Sequence, residues 1–217
     1  MKLLHIDSSI TGASSISRSL SARMVDAIAN TAKNVTVVRR DLEADPLPHL
    51  GQAAFAALSS AETGHMAASP EHIRDGDVLK EFLAADVVVI GAPMYNFTVP
   101  SQLKAWVDRI MVAGKTFRYT ETGPKGLVAG KKIVIVSVRG GLFAPETPQA
   151  SIDFQEPFLR AVFHIIGIDD VEIVRAEGVA IGPKERDAAM NGAFRTIEGL
   201  AKQYAPKGAA KAVPELV

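Results

Sequence analysis

The ten residues from Ser8 to Ser17 carry six hydroxyl groups and lead directly into a helix-forming stretch. A helix N-terminus offers unpaired N–H groups and the positive end of a dipole, which suits a phosphate. Serine and threonine hydroxyls can add further donors around a terminal phosphate. The loop has no lysine, so it is not the GxxxxGK(S/T) nucleotide loop, and the GxGxxG dinucleotide fingerprint is also missing. A dianionic monophosphate held by neutral donors is the functional reading. An ordinary loop with Ser17 as a helix cap is the competing one. Arg18 could add charge to a phosphate site, but we expect it to point to solvent.

Two more segments could shape a ligand site. Ala92 to Pro100 follows the most apolar run of the chain and sets Tyr95, Asn96 and Phe97 between two prolines. Aromatic rings beside an amide could form a flat ligand surface; they could equally be half-buried packing in a strand-to-helix turn. Val138-Arg139-Gly140-Gly141-Leu142-Phe143 follows a later apolar run. Paired glycines let a backbone come close to a ring, or supply positive φ. A plain turn is the commoner use of Gly-Gly.

The titratable residues form no evident catalytic or metal constellation. His5 sits inside an apolar run and reads as a core residue. His49, His65 and His72 are scattered without ligand spacing, and His164 falls late in a helical stretch. Asp7, Asp41 and Asp45 are available to a metal-dependent phosphodiesterase, but no histidine has the spacing to join them. A receiver domain needs adjacent acids at the end of the first strand; serines follow Asp7 here. We expect no metal.

The positioning elements are legible as alternation. Leu3–Ile6, Val35–Val38, Val87–Ile90 and Ile133–Val136 are short apolar runs, with a weaker fifth at Val171–Val174. Such runs fit strands buried on both faces. Helical stretches separate them: Ser19–Ala32, Glu71–Ala85 after Ser69-Pro70, Ser101–Ala113, Asp153–Ile166 and Glu185–Gln203. Strands alternating with helices imply a parallel sheet, because parallel neighbours need a crossover. Five strands suggest a doubly wound α/β sheet of order 2-1-3-4-5 with helices on both faces, the order itself by analogy. Ligands of such sheets bind beyond the carboxyl ends of the strands, where all three loops fall. Residues 43–69 read as a surface excursion with a short helix. Residues 1–204 read as one domain and 205–217 as a flexible tail. The 217 residues, 47% hydrophobic and 22% charged, describe a globular chain. Its 24 basic and 24 acidic residues cancel, which argues against nucleic-acid and lipid partners. The absence of cysteine excludes disulfides and thiolate chemistry and fits a cytoplasmic location, as does the lack of a signal-like segment.

These residues resemble the FMN-dependent NADH azoreductases, a family whose members also reduce quinones. The likeness runs to about Gln203. It covers the Ser-rich loop, Arg40-Asp41-Leu42, Asp45-Pro46-Leu47-Pro48, Pro93-Met94-Tyr95-Asn96-Phe97 and Gln102-Leu103-Lys104. It continues through Thr116-Phe117-Arg118-Tyr119-Thr120, Gly123-Pro124, Gly126-Leu127, Arg139-Gly140-Gly141, Gly167-Ile168 and Ala176-Glu177-Gly178. The resemblance implies a flavodoxin-like fold, bound FMN, NADH or NADPH as donor, and ping-pong two-electron transfer through flavin N5. Ser9, Ser15, Ile16 and Ser17 would hold the phosphate. Met94, Tyr95, Asn96 and Phe97 would pack on the ring; Val138, Arg139, Gly140 and Gly141 would edge it, with glycine N–H groups toward its pyrimidine side. A hydroxyl residue is common in the family where this chain has Val138. Phe117, Tyr119 and Phe143 would contact a quinone or azo substrate. By spacing alone, Trp106, Ile110 and Met111 fit an intramolecular core; the family's homodimer assigns them to a subunit surface. A flavodoxin-type electron carrier is the alternative, although such carriers are shorter and usually acidic.

Overall fold

Val and Ile crowd the backbone and favour extended chain, and each apolar run above becomes a strand in the computed structural model, which describes residues 1–59 and 70–205. These are β1 (Lys2–Asp7), β2 (Thr36–Asp41), β3 (Val87–Pro93), β6 (Lys132–Val138) and β7 (Val171–Ala176). They form one parallel sheet of order β2-β1-β3-β6-β7, the 2-1-3-4-5 pattern when only its own strands are counted. Two unanticipated strands, β4 (Phe117–Thr120) and β5 (Gly123–Gly126), make a separate antiparallel hairpin.

β3 is central and buried throughout. β2 is not, contrary to the expectation from its valines: it is an edge strand with one neighbour, and Val38 is exposed.

The helices are α1 (Ile16–Thr31), α2 (Gln52–Ser59), α3 (Pro70–Ala84), α4 (Ser101–Ile110), α5 (Glu156–Ile166) and α6 (Pro183–Ala201). Side chains alternate across a strand, so the inner strands feed two apolar clusters. Leu4, Ile6, Val88, Ile90, Ile133 and Ile135 join residues of α3, α4 and α5. Leu3, Val87, Val89, Val134 and Val136 join residues of α1 and α6.

Trp106 and Ile110 are fully buried in the first cluster and Met111 packs against it. The Trp106 ring meets Phe82 edge-on at 5.8 Å. Trp106 and Ile110 are therefore core of their own chain, and their assignment to a subunit surface is corrected, while Met111 is partly exposed.

α5 stops at Gly167, whose φ of 96° places it in the left-handed region that favours glycine. Gly126 of the hairpin sits against this stop, where a side chain on either glycine would strike backbone. The Val128 N–H also bonds the Ile166 carbonyl at 3.0 Å. Among the described residues no helix is long and apolar enough to cross a membrane. The expected tail lies, but for Ala205, outside the described residues, as does His65.

Candidate cofactor site

The loop after β1 turns back through Gly12 at positive φ and starts α1 with Ser15, not Ser17, as its N-cap. Ser15 Oγ accepts from the Arg18 N–H at 3.2 Å and lies 3.1 Å from Ser17 Oγ. Ser9, Ser15 and Ser17 are all buried. Among the described residues, the N–H groups of Ile16 and Ser17 reach no acceptor. Neutral donors at a helix N-terminus suit a phosphate monoester.

Arg18 does not point to solvent. It grips Asp41, at the end of β2, through two bonds of 2.5 and 2.7 Å, and donates to the Ser9 carbonyl at 2.9 Å. Asp41 was free to attract it because β2 ends beside the start of α1. The guanidinium, with help from the Glu43 and Ala44 N–H groups, lowers the Asp41 carboxyl to about 2. Arg18 is thus a brace for the serine loop.

In the loop after β3, Tyr95 and Thr98 exchange backbone bonds of 3.0 and 3.1 Å. The two residues between them, Asn96 and Phe97, have φ of 48° and 72°. Positive φ at both central positions marks a turn of type I′. For Phe97 this is an uncommon conformation that costs about 1–3 kcal/mol. It holds the Phe97 ring half out of the protein, edge-on to Phe143 at 6.5 Å. The Asn96 side chain is exposed. Tyr95 reaches back to the serine loop, its hydroxyl 3.1 Å from Ser9 Oγ and 3.2 Å from the Ile10 N–H. A groove of about 860 Å³ runs past Ile10, Met94, Tyr95, Asn96 and Gln102, within the usual size of ligand sites.

The loop after β6 completes this edge. The Val138 side chain is buried in the second cluster, and its carbonyl accepts from the Met94 N–H at 2.8 Å. Arg139 is buried too, with Asp153, Glu156 and Glu177 each 2.7–2.8 Å from its guanidinium. Its side chain therefore faces protein carboxylates. Burial opposes ionisation of Glu156, but Arg175 and Arg139 outweigh it and hold that carboxyl below its ordinary value. Gly140 and Gly141 accept from Ala180 and Gly178 through their carbonyls. Their N–H groups reach no acceptor among the described residues. Neither glycine has positive φ. What they supply is room: a β-carbon on Gly141 would lie 3.0 Å from Gln149 Oε1 and 3.3 Å from the Phe143 ring.

Phe143 belongs to this edge, but Phe117 and Tyr119 do not join it within one chain. Phe117 pairs across the hairpin with Gly126, which rests on the C-terminal end of α5. The loops lie at the other end of that helix, roughly 16 Å away along its axis. Phe117 is buried, whereas Tyr119 is 76% exposed.

Reading by residue type missed Gln155, which is fully buried at the N-cap of α5 and bonds groups on both β3 and β6. Nothing in an isolated glutamine signals such a place. His5 is a buried core residue bonded to Ser21, as expected. His49 is exposed, and His164 pairs with Asp169 at the surface. Asp7 accepts from Ser21 at 2.9 Å. No group of three or more potential metal ligands occurs among the described residues.

A family model described as having a flavodoxin-like fold matches residues 1–200. An FMN-dependent NADH:quinone oxidoreductase 1 of Xanthomonas axonopodis pv. citri is 51% identical over 96% of this chain and 100% of its own length. An azoreductase structure from Bacillus anthracis strain Sterne superposes with a TM-score of 0.84 at 28% identity, covering 94% of this chain and 99% of that one. A Bacillus anthracis FMN-dependent NADH-azoreductase solved in complex with FMN gives 0.83 at 27% identity, covering 94% and 100%.

Proposed function

We propose a function from one premise: the chain belongs to the FMN-dependent NADH:quinone oxidoreductase family, on a flavodoxin-like fold. It is an FMN-dependent oxidoreductase that transfers two electrons from NADH to flat quinone or azo acceptors. One observation carries the reading. The serine loop and the Gly140-Gly141 loop both present uncommitted N–H donors at the same sheet edge, with the Met94–Phe97 loop between them. That set fits a molecule with a phosphate at one end and a polar-edged ring at the other.

In this reading Ser9, Ser15, Ile16 and Ser17 hold the phosphate with neutral donors. Met94, Tyr95, Asn96 and Phe97 form the ring platform. Gly140 and Gly141 would offer N–H groups to the polar edge of the ring and could stabilise negative charge there. Val138 and Arg139 edge the ring by placing this loop, since their side chains, both backbone groups of Arg139 and the Val138 carbonyl are engaged within the protein. When bound, FMN supplies the hydride-accepting and electron-donating chemistry. The protein needs no side-chain nucleophile for it. Phe97 and Phe143 flank the space for donor and acceptor.

We assign the working form as a cytoplasmic homodimer with helices on both faces of each sheet. Support for the dimer comes from the exposed apolar residues Phe97, Leu142, Phe154 and Ile181 around the site and from the exposed Tyr119. Phe117 and Tyr119 could then serve substrate only from the partner chain, because their own chain keeps them at the far end of α5.

The test is the visible spectrum of the purified protein before and after adding FMN, followed by steady-state NADH oxidation with a quinone. Flavin bands and turnover are expected. A protein that takes up no FMN overturns the cofactor assignment. Bound FMN without NADH turnover leaves only an electron carrier.

A further inference from the structure

We infer that Gln155 is a positioning residue for the flavin ring, setting the separation of the Met94–Phe97 and Gly140-Gly141 loops through a buried side-chain amide. This rests on the FMN reading above. Ala92 and Ser137 face each other across β3 and β6, one pair before both strands end. Gln155 Nε2 donates to the Ala92 carbonyl at 2.9 Å. Its Oε1 accepts from Ser137 Oγ at 3.0 Å and from Arg139 Nε at 3.1 Å. The amide orientation is determined by its partners: a carbonyl can only accept, and a guanidinium can only donate.

The residues beside it act on the same two loops. Asp153 uses one oxygen to cap α5, bonding the Gln155 N–H at 2.9 Å, and the other to hold Arg139 at 2.8 Å. Phe154 donates its N–H to the Phe97 carbonyl at 3.0 Å. Three consecutive residues at the start of one helix therefore tie down the turn after β3 and the turn after β6. Gln155 is the member that touches both strands. Its place calls for an amide, because one side must donate while the other accepts. A leucine would leave the Ala92 carbonyl and Ser137 hydroxyl buried without this partner. A glutamate would turn an oxygen toward the Ala92 carbonyl. Either change lets the strand ends relax where the ring loops begin, while Ser15, Ser17 and Arg18 still hold the helix-side half of the serine loop through their own bonds.

The experiment measures dissociation constants of FMN and riboflavin for the full chain, for Gln155→Leu and for Gln155→Glu, which preserves side-chain volume. Riboflavin lacks the phosphate, so the ratio of the two affinities reports the serine loop and their common change reports the ring site. Both Gln155 variants are expected to weaken both ligands by the same factor, about tenfold. The ratio should stay at its wild-type value. A core substitution far from the site, Ile197→Val, is expected to lower Tm without changing either affinity. The inference is overturned if both ligands bind the Gln155 variants within about twofold of wild type. It is also overturned if the FMN-to-riboflavin ratio collapses, or if Ile197→Val weakens binding as much. If the wild-type chain itself binds no FMN, the functional reading fails first and this one with it.

Discussion

The Tyr95 hydroxyl lies 3.1 Å from Ser9 Oγ, so a residue of the β3 loop closes onto the serine loop after β1. The same oxygen accepts from the Ile10 N–H at 3.2 Å. Tyr95→Phe keeps the ring and removes both bonds. Losing roughly 1 kcal/mol of loop order predicts FMN binding about fivefold weaker. Riboflavin affinity should change less, since the loosened segment is the phosphate side. Titration by flavin fluorescence checks both. Equal losses for the two ligands would place the effect of Tyr95 in the ring platform instead.

Asn96 and Phe97 share a conformation that L-residues rarely adopt. Asn tolerates the left-handed region better than Ala, for which it costs about 1–2 kcal/mol. Asn96→Ala is therefore predicted to lower Tm and weaken FMN retention. Asn96→Gly restores the backbone but not the amide, so Tm should recover while FMN binding stays weak. Wild-type binding by the Gly variant would show that only the turn matters. Thermal melts and FMN titrations on the two variants separate backbone from side chain.

These turns also show where residue type was informative and where it was not. The strands were legible because β-branched apolar runs have few other uses in an alternating chain. The three loops followed, since the ligand edge of a parallel sheet is set by strand direction. The backbone strain was not legible: positive φ falls on Asn96 and Phe97, while Gly140 and Gly141, the evident candidates, serve close packing. Arg18 looked like a surface charge because its partner Asp41 is 23 residues away and meets it only through sheet order. Gln155 was hidden for the same reason, since its role depends on the register that pairs Ala92 with Ser137. The hairpin from Phe117 to Gly126 was missed because its strands carry only four residues each and the second, Gly-Pro-Lys-Gly, has no apolar residue beyond its proline.

The Arg18–Asp41 pair gives an acid-side prediction. The Asp41 carboxyl is lowered from 3.8 to about 2 in the folded chain, chiefly by Arg18. A depressed carboxylate stabilises the fold above its unfolded pKa. That contribution is lost as pH falls from about 4 to about 2. Asp41→Asn should therefore have a lower Tm than wild type at pH 5, and the two should converge toward pH 2. A Tm gap that persists unchanged through this window would mean that the pair does not stabilise the folded state. Because Arg18 also holds the Ser9 carbonyl, Asp41→Asn should weaken FMN more than riboflavin at neutral pH.

Trp106 and Tyr119 make opposite predictions about assembly. Trp106 is fully buried within its own chain against Phe82, so Trp106→Ala opens a cavity and should cost about 3–5 kcal/mol. The folded fraction should keep the oligomeric state of the wild type, because the ring touches no outer surface. Tyr119 is 76% exposed on the hairpin. Tyr119→Ser should leave the stability of the isolated chain nearly unchanged, within about 0.5 kcal/mol. If the hairpin serves a partner's site, the same change should weaken dimerisation or raise the KM for the acceptor. Sedimentation velocity across a dilution series, paired with denaturant melts, reads both effects. A monomeric wild type at all concentrations would remove the partner role from Phe117 and Tyr119. The α5 helix would then leave them no route to substrate.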